Sequence, residues 1–176
     1  MLEVKNIDQL NAQFDQWERD LVALAEDVVK GYAVTAFYTL LENSAQYSGD
    51  FAANWNVIVN YSKPVEFIPF DPTVRQLGKL KEKGKIAFIL GDKPAINEAK
   101  SRQKGALHGF RLGDEITISN YSSHDTINYS QLIEKGAIKF RVGNTGHPVA
   151  TTVSFMQARY GALDASDVAR LKGVRL

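Results

Sequence analysis

Cysteine is missing from all 176 residues of the chain. Its absence excludes a disulfide framework and any thiolate metal centre, and fits a reducing compartment such as a bacterial cytoplasm. Long apolar runs are missing too. Nothing approaches the ~20 residues that a membrane span needs, and Met1-Leu2-Glu3-Val4-Lys5 lacks the basic and apolar regions of a signal peptide. The chain is therefore expected to be made and used without export and without a membrane. Net charge is almost absent, +1 from 21 basic and 20 acidic side chains, and by itself selects no partner.

Motifs for chemistry are also lacking. There is no phosphate-binding GxxxxGK[ST], no GxSxG elbow, and Gly143-Asn144-Thr145-Gly146 is not a dinucleotide fingerprint. Ser123-His124-Asp125 holds the three residue types of a hydrolytic triad, but as neighbours in sequence. Adjacent side chains point apart, so they cannot line up as nucleophile, base and orienter. His108, His124 and His147 have no metal-ligand spacing. Asp114 and Glu115 sit side by side where turn chemistry accounts for them. Tyr121, Tyr129 and Phe140 are too scattered to make a base-stacking platform. No catalytic residue, cofactor or metal is expected.

What is present is an ordinary globular composition, 44% hydrophobic and 23% charged, in a length that suits one domain with its own core. Charge is unevenly spread. Residues 1–50 carry nine acidic and three basic side chains, whereas residues 75–111 carry ten basic and three acidic ones. Two solvated faces of opposite sign account for this simply. Contact between the two regions of neighbouring copies, or a basic surface for nucleic acid, are the functional alternatives.

Periodicity predicts a helix from about Asp8 to Asn43. Phe14, Trp17, Leu21, Leu24, Val28, Tyr32, Ala36 and Leu40 recur at steps of three and four, Asp8 can cap the start, and Gly31 weakens the middle. A polar turn with Gly49 follows, then a strand over Asn54–Asn60 in which Trp55, Val57 and Val59 share one face. Residues 62–92 form a long extended insertion. Pro64, Pro69 and Pro72 oppose helix, Lys79 to Lys85 is a basic run, and Ile86 to Leu90 is a short apolar stretch. A second helix starts at Pro94 and runs to about Leu107. A strand over Glu115–Asn120 follows, then a helical turn over Tyr129–Lys135 closed by Gly136. A last helix runs from about Val149 to Leu171, with Val153, Met156, Tyr160 and Leu163 on one side. The expected fold is α+β over residues 1–176 as a single domain. Long N-terminal and C-terminal helices pack on a small, mainly antiparallel β-sheet, and an arm protrudes at about residues 62–92.

Two segments resemble the neck and tail-completion family of tailed phages. Ser44-Ala-Gln-Tyr-Ser48-Gly49-Asp-Phe51-Ala-Ala-Asn-Trp55 is similar to that family's S-P-V-D-T-G-R-L-R-x-x-W, and departs from it at Ala45, Tyr47 and Asp50. Gly113-Asp114-Glu-Ile116-Thr-Ile118-Ser-Asn120, followed by Tyr129-Ser-Gln-Leu-Ile133-Glu134-Lys-Gly136, is similar to G-D-x-I-x-I-x-N and Y-A-x-x-L-E-x-G, with a longer spacer. The residues carried over are structural: Ser48, Gly49, Trp55, Asn120, Tyr129, Glu134 and Gly136. The resemblance implies a virion protein of the neck region, assembled in the host cytoplasm. It would form a ring with copies of itself, commonly six, between head-connector and tail proteins, with genome DNA passing through the bore. Residues 62–92 have no counterpart in the family pattern. Lys79, Lys81, Lys83 and Lys85 there are candidate contacts to a neighbouring subunit or to DNA. A small nucleic-acid-binding module using the basic 75–111 stretch is the alternative from another class, and a hydrolase is a third.

Overall fold

A computed structural model describes residues 7–44, 50–60, 68, 94–121, 147–161 and 165–172. In chain order these form α1 (Ile7–Glu42), α2 (Asp50–Ala53), β1 (Trp55–Val59), α3 (Pro94–Arg102), β2 (Ile116–Asn120), α4 (Pro148–Tyr160) and α5 (Ala165–Lys172). The class is α+β. A long N-terminal helix and C-terminal helices accompany one two-stranded antiparallel sheet. The expected arm at 62–92, apart from Ile68, and the helical turn at 129–136 lie outside the described residues.

β1 and β2 pair in the register Trp55↔Asn120, Val57↔Ile118 and Val59↔Ile116. Alternation puts Trp55 and Val57 on the covered face, and Ile116 and Ile118 pack beside them against the same core. That core is filled by Val34, Phe37, Leu40 and Leu41 of α1, Phe51 to Ala53 of α2, and Ala95, Ile96 and Ala99 of α3. Small residues on α2 and α3 let these short helices approach closely. The last residue of the ladder is supplied by Asn60, whose φ of 50° is one an asparagine tolerates. Its backbone N–H donates to the Glu115 carbonyl at 2.9 Å, and its side-chain oxygen accepts the Glu115 N–H at 3.1 Å.

Four expectations are corrected. α1 includes Ile7, so Asp8 lies in the first turn instead of ahead of it, where its charge still suits the positive end of the helix. Residues 45–49 of the expected polar turn lie outside the described residues; between that turn and β1 stands α2, whose Phe51, Ala52 and Ala53 are all buried. α3 stops at Arg102, short of Leu107. Beyond it the backbone closes i to i+3 turns, and Gly105 takes a φ of +82° that breaks the helical ladder. The single C-terminal helix is two helices. At the end of α4 the Gly161 N–H donates to the Gln157 carbonyl, and the Tyr160 carbonyl accepts the Tyr32 hydroxyl at 2.6 Å. Burial raises the Tyr32 hydroxyl above its ordinary range, with the nearby Asp167 charge adding to the effect. On α4 the buried residues are Pro148, Thr152 and Tyr160, while Val153, expected on the inner side, is exposed.

Gly31 has a packing role that helix propensity alone does not show. A Cβ at this position would run into the carbonyl of Leu171 on α5 and lie 2.8 Å from the Leu171 Cβ. The glycine is what allows α5 to lie directly on α1.

Candidate structural site and assembly surface

The end of α1, α2 and the two strands are tied together by buried polar bonds. Ser44 ends α1, and its hydroxyl donates to the Leu40 carbonyl at 2.6 Å, satisfying one of the acceptors a helix end leaves open. The same oxygen accepts the Trp55 indole N–H at 2.6 Å. The Trp55 ring, 4% exposed, meets Phe51 edge-on at 5.8 Å between centroids. From β2, the Asn120 amide donates to the Phe51 carbonyl at 2.6 Å. Four residues that carry the family resemblance, Ser44, Phe51, Trp55 and Asn120, therefore act on one another. What they do is packing: they lock the turn after α1 onto the sheet.

A second clamp centres on Asn54. It was expected on the polar face of a strand, but is 2% exposed and precedes β1. Its side-chain amide donates to the Ile68 carbonyl at 2.9 Å, and its oxygen accepts the Ile68 N–H at 3.0 Å. One side chain thus pairs both backbone groups of Ile68, as a neighbouring strand would. Arg102 reinforces it, donating to the carbonyls of Ile68 and Ala53 at 3.3 and 3.4 Å while paired with Glu98 at 2.9 Å. Gln103 does the same for β1, accepting the Val57 N–H at 2.9 Å and donating to the Asn56 side chain at 3.0 Å.

Acidic and basic regions meet within one chain. Glu26 is buried on α1, accepts the Leu112 N–H at 3.1 Å, and lies 3.5 Å from the Arg111 guanidinium and 3.9 Å from the Lys30 ammonium. Lys100 stacks over the Tyr38 ring at 4.0 Å. Part of the basic 75–111 stretch is thereby engaged by the chain's own side chains. Asp114 closes the turn before β2: it accepts from the Asn60 amide at 2.7 Å and from the Arg111 N–H at 2.6 Å. Those bonds, that from Asn60 foremost, hold its carboxyl below the ordinary carboxylate range.

The largest departure from expectation is on α1. Its apolar stripe has the predicted period, but only its C-terminal part is covered. Ile7, Leu10, Phe14, Trp17 and Leu21 all face outward, with Phe14 at 53%, Trp17 at 58% and Leu21 at 66% exposure. Phe14 and Trp17 pack on each other along the helix, edge-on at 5.5 Å. Natural monomers rarely leave so long a row of large apolar side chains in water.

Of the other singled-out residues, Ser48, Gly49, Tyr129, Glu134, Gly136, Lys79, Lys81, Lys83 and Lys85 lie outside the described residues. Asn54, Gln103 and Glu26 carry clamps that the sequence did not announce, since nothing in the local pattern marks a polar residue as buried. Among the described residues no helix is long and apolar enough to cross a membrane, and no three His, Asp or Glu side chains gather as a metal site would require. Set beside known proteins, the chain matches no family model, no curated protein and no solved structure.

Proposed function

We propose that this chain is a structural subunit of a tailed-phage particle, a ring-forming neck or tail-completion protein that joins head to tail and lets DNA pass through its bore. The observation that carries the reading is the bare apolar face of α1 from Ile7 to Leu21, a surface suited to a protein partner. The resemblance of residues 44–55 and 113–136 to the neck family supports it from the sequence side, and the packing role of Ser44, Trp55 and Asn120 agrees with a scaffold. On this reading the work of the molecule is assembly, with no bond made or broken. The test is the native mass of the purified chain, followed by imaging of particles that lack it. The expected results are a closed multimer, and heads and tails that fail to join. A monomer that binds DNA in a salt-sensitive manner would replace this reading with that of a nucleic-acid-binding module.

A further inference from the structure

We draw no further inference here: the strongest candidate, the bare apolar face along the outer half of α1 from Ile7 to Leu21, carries none, because nothing in the structure shows what covers it.

Discussion

Single side chains in this molecule earn their positions by what they prevent from going unpaired. Trp55 is the clearest. Its alternation with Val57 and Val59 was legible in sequence, and so was its burial as a large apolar residue. Its partner Ser44 was legible only as part of a motif, because a serine at a helix end reads as a turn residue. Trp55→Ala should cost about 3–5 kcal/mol by denaturant titration. Ser44→Ala should cost about 1–3 kcal/mol, since it strands a buried indole N–H. In the cycle with Trp55→Phe the two losses should fall well short of adding. Simple additivity would show that the 2.6 Å bond contributes nothing of its own. Asp114 gives a pH signature. Its folded carboxyl titrates below the ordinary carboxylate range, so its stabilisation is fully present above that range and is lost as the pH falls through the depressed value. Asp114→Asn should flatten that acid limb of the stability curve. A melting profile between neutral and acid pH as steep as that of the parent would count against the role of Asn60 and Arg111.

Elements were easier to find than to bound. The period of α1, the strands around Trp55 and Ile118, and the start of α3 at Pro94 could all be read from local pattern, because each follows from backbone geometry alone. The break after Tyr160 could not. The Tyr160 carbonyl at that helix end accepts from a hydroxyl 128 positions away in sequence, on Tyr32, and no local rule contains that contact. Gly31 shows the same limit with the opposite sign. In an isolated helix Gly→Ala is favourable by about 1 kcal/mol. Here the added methyl meets backbone of α5, which cannot rotate away. Gly31→Ala should therefore destabilise the chain by about 1–3 kcal/mol, the usual range for overfilling a packed site. Hydrogen exchange should show the protection lost at α5 and in the adjoining turn of α1. A gain in stability would mean that α5 rests on α1 less closely than the structure has it.

For the whole molecule, the core sits at one end of α1, and the other end stands clear of it. Hydrophobic periodicity announced an apolar face along the entire helix, but periodicity cannot say what covers a face, and half of this one is covered by nothing in the chain's described residues. Stability and association are thereby separated in space. Phe14→Ala and Leu21→Ala should leave thermal unfolding of a dilute sample nearly unchanged, within the ±0.5 kcal/mol usual for surface sites, and should lower the tendency to associate. A large loss of stability in a dilute sample would show that the outer half of α1 belongs to the core after all. The same division falls between the two tryptophans, the only ones in the chain. Trp55 is enclosed, with its N–H bonded to a hydroxyl, while Trp17 is open to water. Their emission should separate accordingly, a blue component shielded from acrylamide and a red one readily quenched. Unfolding would shift the first, and contact with any partner would shift the second, so the unlabelled protein reports its own folding and its own docking in two colours.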